Sequence, residues 1–155
     1  MIALIQIVTG FLGSLGFAIL YNIRGKKLIA ASFGGFMSWS LFLFLGLFID
    51  NEPARYLIVS MSISLYAEIL ARVLKTPTTT FIITALIPLI PGGSLYYTMS
   101  SAFGGDFDVF LGNAVSTLSL ALALAIGVAI IAACTRLLIR FKIFIQHRKN
   151  NTSPR

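Results

Sequence analysis

Long apolar runs separated by short polar connections make up most of the chain. A membrane-spanning helix needs about 20 mostly apolar residues, and five runs meet that requirement. They cover approximately residues 1–21, 28–49, 54–74, 78–102 and 109–135. Strands of a β-barrel would be shorter and would alternate polar with apolar positions. The pattern therefore predicts an all-α, polytopic integral membrane protein with five transmembrane helices.

Composition agrees with a lipid environment. Of the 155 residues, 57% are hydrophobic and 11% are charged, whereas a soluble domain carries about 25% charged residues. Apolar residues follow Met1 at once, without the basic start of a cleavable signal peptide, so we expect the first run to be retained. The single cysteine, Cys134, forms no disulfide within the chain.

Charged residues in the connections predict the orientation in the membrane. Basic and acidic connections alternate strictly along the chain. The residues are Arg24, Lys26 and Lys27; then Asp50, Glu52 and Arg55; then Arg72 and Lys75; then Asp106 and Asp108. Because basic loops remain in the cytoplasm, the N-terminus is predicted outside and the C-terminus inside. Omitting the third span would place basic and acidic loops on the same side, so the charges favour five spans.

A basic tail follows the last span. We divide the chain into a membrane domain at residues 1–138 and a basic cytoplasmic tail at residues 139–155, which contributes to the net charge of +7. Basic residues near a membrane surface contact anionic headgroups, each adding about 1 kcal/mol. Interleaved aromatic residues are few, so we expect the lipid bilayer and not nucleic acid as the tail's contact, with His147 solvated.

Small residues recur along single helix faces. The last span has a small residue at every fourth position, and the first two spans have shorter versions of the same pattern. The positions are Thr117, Ala121, Ala125, Ala129 and Ala133; Gly10, Ser14 and Ala18; and Ala31 and Gly35. Close approach through small residues drives helix association in lipid. Five spans offer few internal neighbours, so we expect some of these faces to contact another chain, either a partner or a second copy in a homo-oligomer.

The fourth span contains the string IPLIPGGSLYYTM at residues 87–99. Pro88 and Pro91 lack an amide hydrogen and clash with the preceding turn, and Gly92 and Gly93 allow backbone angles that other residues avoid. We therefore predict that this helix is broken at Pro88–Gly93 and that two half-helices meet near the midplane. A kinked helix without a ligand is the alternative.

The second half-helix is predicted to begin around Gly92–Ser94. Free amide groups at a helix start carry partial positive charge and suit a carboxylate. Discontinuous helices also mark substrate sites in many secondary transporters. Ser94 is expected to cap this helix or to contact the ligand, and Tyr96 and Tyr97 offer hydroxyls one turn later. The predicted substrate-binding residues are Pro88, Pro91, Gly92, Gly93, Ser94, Tyr96 and Tyr97.

Two charged residues of the third span, Glu68 and Arg72, are four positions apart and share one helix face. They leave two interpretations open. One is a mutually neutralising pair, with Arg72 reaching towards the interface. The other is a gate or a proton-coupling carboxylate beside the substrate path. The substitution Glu68→Gln separates them, because lost transport at normal protein levels indicates coupling.

Three segments resemble the membrane domain of the threonine/serine exporter family. They are GFLGSLGFAILYNIRGKKL at residues 10–28, AEILARVLKTP at residues 67–77 and IPLIPGGSLYYTM at residues 87–99, within a similarity over most of residues 5–135. With five spans and no long hydrophilic domain, the chain is similar to the small subunit of the split form. The family positions that carry over are Glu68, Arg72, Pro88, Pro91 and Gly92.

This resemblance implies a membrane subunit of a two-component secondary transporter in the bacterial cytoplasmic (inner) membrane. The expected substrates are small carboxylate-bearing metabolites: threonine, serine or a dicarboxylate such as succinate. The expected partner is a larger exporter subunit with its own membrane domain, and no cofactor is expected. Two adjacent units with odd span numbers and opposite topologies would form an inverted repeat, the usual frame for alternating access.

Other classes of function remain as alternatives. A structural or assembly subunit, whose partner holds the whole substrate site, is the main one, and a channel lined by the broken helix is another. We do not expect an enzyme, because the sequence offers neither a metal-binding cluster nor a nucleophile–base set. Asp106 and Asp108 are instead expected in a solvated external loop.

Overall fold

The computed structural model describes residues 1–151, with side chains through Phe141. Six α-helices and one 3₁₀ turn make up the fold, and residues 1–151 contain no strand. In chain order they are α1 (Ile2–Leu20), α2 (Lys26–Leu45), α3 (Glu52–Val73), α4 (Thr78–Leu86), the 3₁₀ turn (Ile87–Leu89), α5 (Gly92–Gly104) and α6 (Phe107–Asn151). The predicted all-α class is confirmed.

Four helices, α1, α2, α3 and α6, are each long and apolar enough to span a bilayer. The bent pair of α4 and α5 passes the same test when taken together, and counting it as one span gives the predicted five. Helix α2 ends at Leu45 instead of near residue 49. Helix α6 continues to Asn151 without a break at residue 138, so the division into membrane domain and tail stays a prediction. The predicted solvated His147 lies outside the described side chains.

Side-chain caps explain where two of the helices begin. Asn51 caps α3, since its Oδ1 accepts a hydrogen bond from the amide of Ala54 at 3.0 Å. Asp106 precedes α6 and accepts from the amide of Val109 at 3.2 Å, while Asp108 lies in the first turn of α6. Acidic groups at a helix start are stabilised by the helix dipole. The two aspartates therefore stabilise the start of α6, a role that the predicted external loop did not include.

The first half of the broken span lies in the middle of the bundle. Helix α4 packs against α2 and α3, and the 3₁₀ turn contacts α1 and α2. Phe81, Thr84, Ala85 and Leu89 are fully buried there. The second half lies at the edge of the bundle. Helix α5 packs along α6, and its buried residue is Thr98. The break thus carries the chain from the core to the edge of the bundle.

Small residues allow three close helix contacts. Gly35 of α2 lies against Ser14 of α1, and a Cβ built at Gly35 would overlap the Ser14 hydroxyl. A Cβ built at Gly34 would lie 2.6 Å from Cβ of Ala85 in α4. Gly127 of α6 approaches α3 in the same way. These contacts agree with the expectation that small residues bring backbones together in lipid.

The alanine row of α6 faces away from the bundle. Ala121, Ala125, Ala129 and Ala133 are all exposed. The side of α6 that packs on α3 instead contains Leu120, which is buried, and Gly127. No described helix of this chain therefore packs against the alanine row, which the sequence predicts as a packing surface.

Candidate functional site

The broken span has a defined geometry. Helix α4 ends at Leu86, the 3₁₀ turn carries Pro88, and Ile90 is extended with φ −61° and ψ 123°. Helix α5 then starts at Gly92, and its axis is bent by 59° from that of the first half. Two prolines without amide hydrogens account for the interruption of the helical hydrogen-bond ladder. The predicted break at Pro88–Gly93 is confirmed.

The start of α5 leaves two amide groups open. The amide of Gly92 donates to the carbonyl of Ile90 at 2.7 Å, and the first helical bond runs from the amide of Leu95 to the carbonyl of Pro91 at 3.0 Å. No acceptor among the described residues faces the intervening amides of Gly93 and Ser94. Unsatisfied amides at a helix start concentrate partial positive charge. This end of α5 can therefore accept an anionic group.

Two details of this helix start differ from expectation. Pro91, and not Ser94, occupies the N-cap position, without a side-chain cap bond, and Ser94 lies inside the helix, where its carbonyl accepts from Thr98 Oγ1 at 2.8 Å. Neither Gly92 nor Gly93 has a positive φ. A Cβ at either glycine would meet no described atom within 4 Å. The glycines therefore keep the surroundings of the amides clear of side chains and are not needed for unusual backbone angles.

A polar seam fixes α5 against α6. Oγ1 of Thr98 and Oγ1 of Thr117 share a hydrogen bond of 2.9 Å. Nδ2 of Asn113 donates to Oγ of Ser101 at 3.3 Å and to the carbonyl of Tyr97 at 3.4 Å. Hydrogen bonds between helices in a membrane contribute modestly to association, about 0.6–2 kcal/mol each. The seam holds the open end of α5 in a fixed direction.

The predicted tyrosines lie on the outer side of α5. The rings of Tyr96 and Tyr97 meet edge to face with centroids 5.6 Å apart. Their side chains are 68% and 64% exposed, and Gly92 and Gly93 are exposed as well. Interrupted backbone at membrane depth is stable only when protein or a water-filled cavity covers it. In this chain taken alone, the α5 side of the break is uncovered.

A small cleft lies on the other side of the break. Pro88 lines it together with Gln6, Thr9, Gly10 and Trp39, and its volume is about 240 Å³. The indole nitrogen of Trp39 is buried and has no hydrogen-bond partner in the part of the chain that the structure describes. Sequence reasoning missed this cleft, because residues of α1 and α2 meet the break only in the folded bundle.

Glu68 and Arg72 form an ion pair on α3. Nη2 of Arg72 lies 3.1 Å from Oε2 of Glu68, and the two side chains are 48% and 17% exposed respectively. Glu68 also lines a cavity that reaches the start of α4. The break lies at the other end of α4, and nine helical residues correspond to about 14 Å. The structure therefore brings the ion pair next to the start of α4 and does not bring it into one site with the break.

The chain is thus a polytopic helical membrane protein with one discontinuous span, an architecture shared by many secondary transporters. The sequence model of one protein family, described as "Threonine/Serine exporter, ThrE", matches residues 6–134. The chain belongs to this exporter family, which confirms the resemblance in its motifs. Neither a search of curated proteins nor a search of solved structures gave a match.

Proposed function

We propose that this chain is the small membrane subunit of a two-component secondary transporter. It exports small carboxylate-bearing metabolites, either threonine and serine or a dicarboxylate such as succinate. Its larger partner contributes a second membrane domain, and the complex lies in a bacterial cytoplasmic (inner) membrane with the N-terminus of this chain outside and its C-terminus inside. Membership of the exporter family supports the transport class.

One observation carries the proposal: the open start of α5 at a broken transmembrane span. The amides of Gly93 and Ser94 have no described acceptor, and helix starts of this kind bind carboxylates in transporters. The proposed substrate-binding residues are Pro88, Pro91, Gly92, Gly93, Ser94, Tyr96 and Tyr97. The pair Glu68 and Arg72 is proposed as a gate or proton-coupling element, since charged groups inside a membrane protein commonly serve such roles.

The exposed outer face of the bundle supports a second membrane domain. Exposed glycines at the break need a cover at membrane depth, and the alanine row of α6 offers a smooth surface for another helix. A partner with an odd number of spans in the opposite orientation would supply the second half of an inverted repeat. The proposed site would then lie between the two chains.

Reconstituted vesicles test this function directly. The chain is incorporated with and without its larger partner, and vesicles loaded with unlabelled threonine, serine or succinate are assayed for uptake of the same labelled compound. A transporter gives saturable counterflow that requires both chains. Flux that rises linearly with concentration, without counterflow, would indicate a channel. Absence of flux for all three compounds would reject the proposal.

An assembly subunit is the second candidate, and the exposure of the break favours it, since the site is incomplete in this chain. The substitution Gly93→Leu separates the two functions. Open space around Gly93 accommodates a larger side chain, which would cover the amides without disturbing the fold. Lost counterflow with normal assembly supports a site in this chain, whereas normal counterflow supports the assembly role. Gly104→Leu is the matched control, because Gly104 also has open surroundings but lies at the far end of α5.

A further inference from the structure

A cavity of about 550 Å³ lies between α3, the start of α4 and the later part of α6. Ligand sites in proteins commonly measure about 300–1,000 Å³ and combine apolar walls with a few polar groups. This cavity has both kinds of lining. Its polar lining consists of Glu68, Thr78, Thr79, Thr135 and Arg136.

The cavity is distinct from the break and lies before it on an outward path. Its walls come from the end of α3, the start of α4 and the region of α6 around Arg136. In the proposed orientation all three are at the cytoplasmic side. A solute leaving the cytoplasm would therefore reach this cavity first and the open start of α5 afterwards, about one α4 length further on.

Glu68 provides a carboxylate with spare acceptor capacity. Its Oε2 holds Arg72 at 3.1 Å, and its Oε1 has no hydrogen-bond partner among the described residues. An ionised carboxylate has two oxygens that each accept hydrogen bonds. The group can therefore keep Arg72 and still accept a hydrogen bond from an ammonium group in the cavity.

Arg136 provides the opposite charge from another helix. It follows Thr135 on α6, is exposed, and forms no ion pair with any residue of the described chain. A guanidinium presents a planar fork that matches the two oxygens of a carboxylate. The Thr135 hydroxyl is occupied by the carbonyl of Ile131 at 2.9 Å, so Arg136 is the principal group on α6 for recognising an anion.

We propose that this cavity captures an α-amino acid as its zwitterion, with the ammonium at Glu68 and the carboxylate at Arg136. The inference rests on the exporter function proposed above and selects among its substrates. A dicarboxylate would place its second negative charge against Glu68, and like charges at close range oppose each other. The cytoplasmic cavity is therefore a first binding site that favours threonine and serine over succinate.

Site-directed thiol protection tests the cavity independently of transport. A single cysteine is introduced by Thr79→Cys in a Cys134→Ala background, because Thr79 is exposed and lines the cavity. The full chain is reconstituted with its partner, and its labelling rate with a charged thiol reagent is measured with and without L-threonine. The control is Arg140→Cys in the same background, one turn beyond Arg136 and outside the cavity lining.

We expect L-threonine to slow labelling at position 79 but not at position 140. At a ligand concentration about ten times Kd, the slowing should be about tenfold by mass action. Succinate, N-acetyl-L-threonine and L-threonine methyl ester should protect little, because each lacks one of the two required charges. Glu68→Gln or Arg136→Gln should each remove the protection by L-threonine.

Three results would overturn the proposal: no protection by L-threonine, equal protection by succinate, or full protection in both variants. If either variant fails to fold, the Thr79→Cys chain that retains Glu68 and Arg136 still tests the proposal. In that chain, protection by L-threonine is compared with protection by its two blocked derivatives. Counterflow without cavity protection would reject this site and leave the exporter function intact. Absence of counterflow in the presence of protection would reject the exporter function instead.

Discussion

The contact between α6 and α3 can be tested at a single glycine. Gly127 of α6 is buried against α3, and a Cβ built there would overlap the hydroxyl of Ser60 and lie 2.8 Å from the carbonyl oxygen of Leu57. The serine hydroxyl donates to that same carbonyl at 2.9 Å. The substitution Gly127→Ala would therefore place a methyl group against the Leu57 carbonyl and against the Ser60 hydroxyl, which is already fixed by its hydrogen bond. Because this contact sets the spacing between α3 and α6, it also affects the shape of the cavity that Glu68 and Arg136 line between them.

The expected change in the free energy of unfolding for Gly127→Ala is the sum of two opposing contributions. An extra methyl group in a tightly packed site costs about 1–3 kcal/mol, whereas replacing glycine by alanine inside a helix gains about 1 kcal/mol. Gly112→Ala provides the control, since Gly112 lies on the same helix with no described atom within 4 Å of its built Cβ. The helix gain is common to both variants, so their difference isolates the packing term. We expect Gly127→Ala to be less stable than Gly112→Ala by about 1–3 kcal/mol.

Unfolding in mixed detergent micelles provides the assay. The helical signal in circular dichroism is followed as denaturing detergent is added, and the free energy of unfolding is compared for the two variants and the parent chain. Gly112→Ala should match or exceed the parent, and Gly127→Ala should fall below it. Equal stabilisation by both substitutions would show that α6 does not approach α3 as closely as described, and the reasoning about this interface would fail.

Three further substitutions test separate features. Ala125→Leu should leave the chain folded, because Ala125 is exposed, but should reduce co-purification of the partner or of a second copy, because it interrupts the smooth surface for helix association. Asp106→Ala removes the capping bond to the amide of Val109 and should lower the free energy of unfolding by about 0.5–2 kcal/mol. Trp39→Phe removes a buried donor without a described partner, so the free energy of unfolding should be unchanged or raised by up to about 1–3 kcal/mol.

A specific result would contradict each of these three predictions. Normal co-purification with Ala125→Leu would show that the alanine row is not an interface. An unchanged midpoint for Asp106→Ala would mean that the cap contributes nothing to α6. A marked loss of stability in Trp39→Phe would show that the indole nitrogen is satisfied by a group outside the described chain, or that the indole ring fills space that the smaller ring cannot.

Local chemistry explains why the break was predictable from sequence. A proline interrupts a helix wherever it occurs in the helix interior. Pro88 and Pro91 therefore predict the break without any knowledge of the tertiary structure. The exact start of α5 and the role of its two glycines were harder to predict. Ser94 has the side chain of a capping residue, but the helix begins earlier, behind Pro91. The glycines suggested unusual backbone angles, whereas the structure uses their missing side chains.

Features that join distant segments were not predictable in the same way. Sequence reasoning singled out Glu68 only beside Arg72, its neighbour on the same helix, and did not single out Arg136 as a site residue. Their common cavity depends on how α3 packs against α6, which the apolar pattern does not specify. The same holds for Trp39 and Pro88, which meet through the packing of α2 on the 3₁₀ turn. Sequence patterns predict helices and breaks, but the sites formed between helices require the packing.

The open start of α5 is the central claim, and amide chemical shifts test it most directly. The chain is prepared with isotope-labelled glycine, reconstituted with its partner, and titrated with L-threonine and with succinate while the amide signals of Gly93 and Gly112 are followed. We expect a saturable shift of the Gly93 signal with whichever compound is transported, and no shift at Gly112. An unchanged Gly93 signal under conditions that sustain counterflow would show that the start of α5 does not bind the transported compound.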